Sequence, residues 1–430
     1  MSHYDEIFDY VAQLKIVDTH EHLPDHADKR PKPTDVLKEY LTHYFDKDLI
    51  SAGMMPDLLA QVMDNSKPLM DRWLLAEPYW HLAENTGYGR ALNVTAKGLY
   101  GIDKISRDTI EALDSAFQKT LTDPDWYRKV LRDKSGIAIS ILDGWVDYAL
   151  EPWCSGLFAP VWRVDGLVML DGFGGTIARY EKRNQAKVRN FTDYLDLIDE
   201  DIALSAKLGY VGYKLGLAYN RSLHFERSSF AAAEKAFSDL IGKMHAPIWN
   251  QQNLDIPKDL QDFCLHRVLR AIEKTGRPLQ VHTGLQEGNG NLWANSDPML
   301  LSNLFLQYPD LKFDLFHIGY PNWQSVAALA KNLPNVYIDM CWAHIISPET
   351  CVAAIMEYTD SVPSNKVSAF GGDYCMVDTV YGHQLMARQN VSRALANKVD
   401  RSVFDVETAC QLARRMLVEN PANLFQLTVD

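Results

Sequence analysis

The sequence predicts an α/β protein built as a (β/α)8 (TIM) barrel, with a helical insertion after the first strand. Two observations predict this fold. Eight short apolar runs alternate with segments of helical periodicity, and such alternation indicates parallel βαβ units. At least five of these runs end in His, Lys or Asp, and a closed barrel gathers the carboxyl ends of its strands at one face. An open doubly wound sheet, which would spread those residues, is the alternative architecture.

The eight predicted strands follow one another along the chain. The first opens at Ile16 and Val17 and leads to His20 and His22. The later runs are short, apolar and bounded by turn residues, as expected for buried parallel strands. They cover residues 137–142, 167–171, 210–215, 278–284, 311–319, 335–339 and 367–373.

Segments with helical spacing of apolar residues separate the strands. A glycine and a proline end one of them at residues 276 and 278, as is typical of a helix terminus. The predicted helices lie near 4–14, 191–208, 228–244, 258–275, 297–307, 322–332, 348–358, 381–397 and 402–419.

The stretch from residue 24 to residue 135 is mostly helical and dense in aromatic residues. We interpret it as an insertion that forms a lid, whereas residues 1–23 and 136–430 form the barrel domain. Most of the aromatic side chains in the insertion are expected to fill its own small core.

Composition and charge limit the classes of partner. The 430 residues are 47% hydrophobic and 23% charged, which is typical of a globular protein. The net charge of −13 disfavours nucleic acid and anionic membranes as partners, and no apolar run is long enough for a membrane span. The six cysteines show no C-x-x-C motif and the N-terminus resembles no signal peptide, so a cytoplasmic location is expected. The expected partner is a small-molecule substrate, and a homo-oligomer is left open.

The strand ends carry residues that bind divalent metals. His20 and His22 are spaced i, i+2, which in an extended strand points both imidazoles to the same side. Together with His282, His317 and Asp373 they are ligand types that suit zinc, although Mn, Fe and Co share them. Each residue alone has a plainer interpretation, because a strand-end histidine can cap a backbone carbonyl and Asp373 can be a turn residue.

The order of these residues resembles the amidohydrolase superfamily. That order is His-x-His after strand one, Lys after four, His after five, His after six and Asp after eight. The resemblance implies that His20, His22, His282 and Asp373 bind a metal and that His317 binds a second metal or polarises the substrate. Lys214 would bridge two ions only if it were carbamylated, so one ion and two ions both stay open.

A metal-dependent hydrolase of a small amide, ester or lactone is the leading functional hypothesis. In it, Asp373 takes a proton from the attacking water and passes it to the leaving group. His317 or Lys214 stabilises the oxygen that gains negative charge. A non-enzymatic protein, either a barrel whose zinc is purely structural or a binding protein, is less favoured, because structural zinc sites usually have four protein ligands and often cysteine.

A second, local resemblance is to uronate isomerases. Residues 42–53 are similar to a segment of that family and keep His43 and Tyr44, while Lys47 and Ile50 stand where the family has arginines. Residues 381–388, with His383 and Arg388, partly match another of its motifs. The resemblance implies that His43, Tyr44, His383 and Arg388 bind substrate. An aldose–ketose isomerase of a sugar acid is therefore an alternative function, and a non-oxidative decarboxylase is a further one.

Overall fold

The computed structural model describes residues 2–24, 30, 32–143, 156–170, 175–244 and 255–429. Eight strands lie within these ranges, and each is short and mostly buried. They are β1 Ile16–Glu21, β2 Ile137–Asp143, β3 Phe158–Arg163, β4 Gly212–Leu215, β5 Leu279–Val281, β6 Phe313–Leu315, β7 Val336–Asp339 and β8 Val367–Ser368.

The strands form one sheet in the order β1-β2-β3-β4-β5-β6-β7-β8. Neighbouring strands are parallel, as in the pairing of Tyr213 with Leu279 between β4 and β5. The chain just after β8 lies next to β1 and bonds to it. The Thr19 amide donates to the Phe370 carbonyl at 3.1 Å. The predicted (β/α)8 barrel is thereby confirmed.

The predicted position of the third strand, residues 167–171, was wrong. Residues 165–168 form a short helix, and the strand lies earlier, at Phe158–Arg163. Pro160 obscured it, because proline lacks an amide hydrogen and argues against a central strand. In the structure the Pro160 carbonyl still takes part in the sheet, because it accepts from the Val211 amide at 2.9 Å. Asp171, the end of the run predicted as a strand, lies outside the described residues.

Helices fill the positions between and after the strands. Those of the N-terminal third are α1 His3–Gln13, α2 Val36–Leu41, α3 Phe45–Ser51, α4 Pro56–Met63, α5 Leu69–Ala83, α6 Gly87–Tyr100, α7 Ile110–Thr120 and α8 Trp126–Arg128, followed by a π-helical segment at Lys129–Lys134. Those that follow are α9 Asp165–Val168, α10 Thr176–Asn184, α11 Phe191–Lys207, α12 Phe230–Met244, α13 Lys258–Glu273, α14 Ser302–Gln307, α15 Trp323–Asn332, α16 Ala343–Ile346, α17 Pro348–Ser361, α18 Val377–Asp400, α19 Val406–Arg414 and α20 Asn420–Phe425.

The helices between β1 and β2 have a hydrophobic core of their own. It is built from buried side chains of residues 36–117, among which Trp73 and Trp80 pack with ring centroids 5.4 Å apart. Most aromatic residues of this segment therefore have the structural role that the sequence indicates. The domain boundaries at residues 24 and 135, and the lid function, stay predictions.

This helical segment packs on α18. The Gly382 amide of α18 donates to the Thr95 hydroxyl of α6 at 3.1 Å. A Cβ atom at Gly382 would lie 2.2 Å from the Ala91 carbonyl oxygen, so glycine is required for this approach. Nearby, the buried Asp378 accepts from the Trp126 indole at 2.7 Å. These contacts fix the insertion to the helix that follows the eighth strand.

The chain folds into two compact units. The first comprises Met1–Ala159, Leu285–Asn291 and Ile338–Asp430, and the second comprises Pro160–Gly284 and Leu292–Tyr337. Among the helices in the described ranges, none has the length and hydropathy needed to cross a bilayer. The expected cytoplasmic location stays a prediction.

Candidate metal centre

The first unit brings three of the predicted ligands together. The Nε2 atom of His22 lies 3.3 Å from the Oδ1 atom of Asp373, and the Nε2 atom of His20 lies 3.7 Å from the same oxygen. One ligand atom from each residue lies within 4.8 Å of the other two. His20 is fully buried and Asp373 is 8% exposed, so the group lies in a largely dry setting.

These spacings fit a single divalent ion. Zinc binds imidazole nitrogen and carboxylate oxygen at about 2.0 to 2.2 Å with tetrahedral angles, which places neighbouring ligand atoms about 3.4 Å apart. The two nitrogen–oxygen separations of 3.3 and 3.7 Å are close to that value. The donor set of two imidazoles and one carboxylate suits zinc and related ions.

Asp143, at the end of β2, is a residue of this site that the sequence analysis missed. Its backbone carbonyl lies 3.1 Å from the Nδ1 atom of His22. A carbonyl can only accept, so Nδ1 carries the hydrogen and the Nε2 lone pair of His22 is left for a metal. The Asp143 carboxylate also lies 3.7 Å from the Nε2 atom of His20. Asp143 was missed because an aspartate followed by a glycine is typical of a turn, although its position at a strand end matched that of the other candidate ligands.

Side chains inside β1 hold the two histidines in place. The Oδ1 atom of Asp18 accepts from the amides of His20 at 3.3 Å and Gly372 at 3.0 Å, and its Oδ2 atom accepts from the Ser140 hydroxyl at 2.8 Å. The Thr19 hydroxyl donates to the Asp339 carboxylate at 2.9 Å. Buried polar side chains therefore tie β1 to its neighbours directly beside the histidines.

A second buried carboxyl group lies between the two histidines in sequence. The Oε2 atom of Glu21 accepts from the Tyr374 amide at 2.8 Å. Burial and the adjacent Asp18 raise the pKa of Glu21 well above its usual range. A Cβ atom at Gly372 would lie 1.8 Å from the Oε1 atom of Glu21. The glycine before Asp373 therefore makes room for this carboxyl group.

The backbone of Asp373 is held on both sides of its Cα atom. Its amide donates to the His20 carbonyl at 2.7 Å, and its own carbonyl accepts from the Tyr44 hydroxyl. Asp373 has a φ of 59°, a left-handed conformation that costs free energy in a residue other than glycine. His43 and Trp342 share this backbone region, with φ values of 85° and 61°. Such residues cluster at functional sites.

Aromatic rings from the insertion and from the loops after β7 and β8 pack beside Asp373. Tyr44 is 2% exposed and stacks on Trp342 with ring centroids 4.6 Å apart. It also stacks on Tyr88 at 5.3 Å, and its neighbour His43 lies 6.1 Å from the His22 ring. Burial lowers the pKa of His43 to about 4, so that imidazole is neutral at pH 7.

Lys47 lies in α3, close to His43 and Tyr44 in sequence, and its ammonium is paired with carboxylates. Its ammonium lies 2.8 Å from the Asp46 carboxylate and 3.3 Å from the Glu287 carboxylate. Burial raises the pKa of Glu287, and the charges of Asp46 and Asp373 raise it further, whereas Lys47 lowers it. Lys47 therefore neutralises protein carboxylates.

The second unit holds the other three strand-end candidates. The Nε2 atom of His317 lies 3.1 Å from the Nδ1 atom of His282, so one of these nitrogens carries the hydrogen that joins them. The Tyr219 ring also packs against His282, with ring centroids 4.6 Å apart. The ammonium of Lys214 lies 3.4 Å from the centre of the Phe316 ring. A cation is attracted to such a ring face.

The two candidates on α18 have different surroundings. His383 is fully buried, its Nδ1 atom lies 3.2 Å from the Gly372 carbonyl, and burial lowers its pKa to about 3. Arg388 donates to the carbonyls of Val11, Leu14 and Ser135. These bonds give Arg388 a structural role, because they join α18 to the chain before β1 and before β2. His383, in contrast, lies next to the loop that carries Asp373.

Comparison with known proteins is consistent with this arrangement. The family model described as Amidohydrolase matches residues 196–427. Protein fluG of Emericella nidulans is 25% identical over 245 residues, which are 56% of this chain and 27% of that protein. The matched region therefore spans about a quarter of the length of that relative.

Solved structures share the fold across nearly the whole chain. The uronate isomerase of Thermotoga maritima has a TM-score of 0.78 and 16% identity, covering 98% of this chain and 97% of its own. The glucuronate isomerase of Caulobacter crescentus also has a TM-score of 0.78, with 17% identity and coverage of 99% and 94%. A protein from Lactobacillus casei, described as a metal-dependent hydrolase, has a TM-score of 0.66 and 19% identity, with coverage of 98% and 97%. At these identities the likeness establishes the fold alone.

Proposed function

The chain belongs to the amidohydrolase family, and on that premise we propose that it is a metal-dependent hydrolase of a small, polar, uncharged substrate such as an amide, an ester or a lactone. The observation that carries the proposal is the grouping of His20, His22 and Asp373, with one ligand atom from each within 4.8 Å of the others. These residues are the proposed ligands of one divalent ion, and zinc is the proposed ion. The role of His282 as a further ligand stays a prediction.

The residues of the site supply the remaining chemistry. A divalent ion held there would lower the pKa of water from about 16 to about 7, which makes hydroxide available at neutral pH. Asp373 takes the proton of the attacking water and transfers it to the leaving group. Its carboxylate is suited to this task because it is slightly exposed while its backbone is held on both sides. A donor from His317 or Lys214 to the developing negative oxygen stays a prediction.

The setting of Lys214 supports a site with one ion. Its ammonium lies over the face of Phe316 at 3.4 Å, and that face attracts positive charge. A carbamylated lysine would carry a negative charge and lose this attraction. We therefore propose one ion per chain, and we expect the metal content of the protein to be the same whether bicarbonate is present or absent during reconstitution.

The charges beside Asp373 support an uncharged substrate. Lys47 is held by the carboxylates of Asp46 and Glu287, so a substrate carboxylate would have to displace one of them and would meet the other. Like charges brought together in a partly buried site are unfavourable. This arrangement favours a lactone, ester or amide over a free sugar acid.

A sugar-acid isomerase is the second candidate. The position of His43 next to His22 and the fold shared with two uronate isomerases support it. In that reaction Asp373 would move a proton between adjacent carbons of an open-chain sugar. The two candidates differ in the charge of the substrate, and this difference provides the test.

The test supplies the zinc-loaded protein with paired substrates. One arm contains neutral sugar lactones and monitors acid release. The other contains the corresponding free uronates and monitors ketose formation. Acid release without ketose formation supports the hydrolase. Ketose formation without acid release would replace it with the isomerase. A third arm contains aromatic carboxylic acids, and release of CO2 there without turnover in the other arms would replace both.

A pair of variants connects activity to the proposed ligands. The variant His22→Ala is expected to lose the metal and the activity together. The matched control is His266→Ala, because His266 is a buried histidine that is hydrogen-bonded to the Tyr308 hydroxyl at 2.7 Å and is not one of the proposed ligands. Full metal content in His22→Ala would contradict the assigned ligand set.

A further inference from the structure

We infer that Tyr44 is a positioning residue, which holds the backbone of Asp373 so that the carboxylate stays aimed at the site, instead of contacting the substrate. The inference rests on the proposed function for the role of that carboxylate. It replaces the substrate-binding role that the local resemblance to uronate isomerases implies for Tyr44.

The first step of the argument is the direction of the Tyr44 hydroxyl. It donates to the backbone carbonyl of Asp373, across 329 residues of sequence. The side chain is 2% exposed, which leaves little surface for a substrate. The hydroxyl is therefore a donor committed to the protein backbone.

The second step is the rigidity of the ring that carries this hydroxyl. Tyr44, Tyr88 and Trp342 are nearly parallel, with interplanar angles of 18° for Tyr44 against each of the other two and 4° between those two. Tyr374 contacts the edge of the cluster, with its ring centroid 5.1 Å from that of Tyr44. Offset stacking and edge contacts of this kind restrict a ring to one orientation.

The third step is the need of Asp373 for support. Its φ of 59° is unfavourable for a side chain with a Cβ atom. On the amino side, the bond to the His20 carbonyl at 2.7 Å ties the residue to β1. On the carboxyl side, the peptide group between Asp373 and Tyr374 is held at both of its polar atoms: Tyr44 donates to the carbonyl, and the Tyr374 amide donates to Glu21 at 2.8 Å. Without the Tyr44 bond, the bond from the Tyr374 amide to Glu21 is left to hold this peptide group, and the Asp373 carboxylate is positioned less firmly.

The consequence is that the helical insertion contributes directly to the geometry of the metal centre. Tyr44 directly precedes α3, and Tyr88 lies in α6. Both belong to the predicted insertion and both stack on Trp342 in the loop after β7, and Tyr44 also contacts Tyr374 in the loop after β8. Through Tyr44, the insertion therefore acts on the position of Asp373.

The experiment compares Tyr44→Phe with Tyr88→Phe. Both variants keep a ring in the same stacked cluster and lose one hydroxyl, but the Asp373 bond is lost only in the first. With a neutral lactone as substrate, kcat of Tyr44→Phe is expected to fall about tenfold, which is the factor expected from one lost hydrogen bond. KM stays unchanged. Zinc passes to a chromogenic chelator faster from Tyr44→Phe, while Tyr88→Phe matches the parent protein in all three measurements.

Amide hydrogen exchange provides a measurement that needs neither substrate nor metal. The peptide that contains Asp373 is expected to exchange its amide hydrogens faster in Tyr44→Phe than in Tyr88→Phe. The reason is that loss of the Tyr44 bond weakens the hydrogen bond from the Asp373 amide to the His20 carbonyl. Equal exchange in the two variants would overturn the inference, as would a raised KM with unchanged kcat. A protein that hydrolyses no lactone contradicts the proposed function, but the exchange experiment still tests the role of Tyr44.

Discussion

Replacing Asp373 with asparagine removes a negative charge and a proton acceptor while keeping the shape of the side chain. Asparagine tolerates the left-handed backbone region better than most residues, so the φ of 59° is no obstacle. The backbone bonds to His20 and Tyr44 involve the amide and carbonyl groups, and the substitution leaves them unchanged. The variant is therefore expected to fold normally.

The expected loss of activity follows from the contacts of the carboxylate. A positioned acid–base group contributes a rate factor of about 10² to 10⁴, which corresponds to about 3 to 5 kcal/mol of activation free energy. The amide oxygen can still occupy the position 3.3 Å from the Nε2 atom of His22. Most of the metal should therefore be retained, while kcat falls at least about a hundredfold.

The assay measures lactone hydrolysis and zinc content on the same preparation. The matched control is Asp103→Asn, because the side chain of Asp103 is 85% exposed and pairs with Lys97 at the surface. That variant is expected to behave as the parent protein. A metal-loaded Asp373→Asn variant with kcat within tenfold of the parent would refute the proton-transfer role.

Three further predictions concern stability and the role of single residues. Replacing Arg388 with lysine leaves some of the buried carbonyls of Val11, Leu14 and Ser135 without a donor, so urea unfolding should show a loss of about 2 kcal/mol or more; a raised KM without that loss would instead indicate substrate binding. Gly372→Ala places a Cβ atom 1.8 Å from the Glu21 carboxyl group, and we expect a loss of about 1 to 3 kcal/mol with a lower metal content; an unchanged melting temperature would contradict this. Burial lowers the pKa of His344 to about 4, whereas the unfolded value is about 6.5. Between these values the unfolded chain binds more protons than the folded chain, so the free energy of unfolding falls as the pH falls. The neutral His344 costs no stability well above pH 6.5, and at pH 5 it should lower the free energy of unfolding by about 2 kcal/mol. His344→Gln should lose less stability than the parent over that range, and equal losses would contradict the assignment.

The alternation of apolar runs and helical segments predicted most of the fold. Parallel strands buried on both faces produce short continuous apolar runs, and residues such as His282 and Asp373 mark their ends. The strand at Phe158–Arg163 departs from this pattern. It contains Pro160, whose carbonyl still bonds to the Val211 amide, and that bond depends on tertiary structure which a local pattern does not contain.

The sequence predicted only part of the candidate site, because some of its contacts also depend on tertiary structure. His20, His22 and Asp373 were recognisable because their residue types and strand-end positions both pointed to metal binding. Asp143 has the same position, but an aspartate before glycine is so common in turns that its type carried little information. The contact between Tyr44 and Asp373 joins residues 329 positions apart, and no periodicity or spacing encodes such a contact.

The closure of the sheet between β1 and the chain after β8 determines when the metal centre can form. The amide of Asp373 meets the carbonyl of His20 across more than 350 residues, and contacts so distant in sequence are slow to form because a large loop must close first. A nascent chain emerging from the ribosome would present both histidines long before the aspartate had been synthesised. Tight binding of the proposed metal is therefore expected to be a late event, because it requires that β1 and the chain after β8 have already paired.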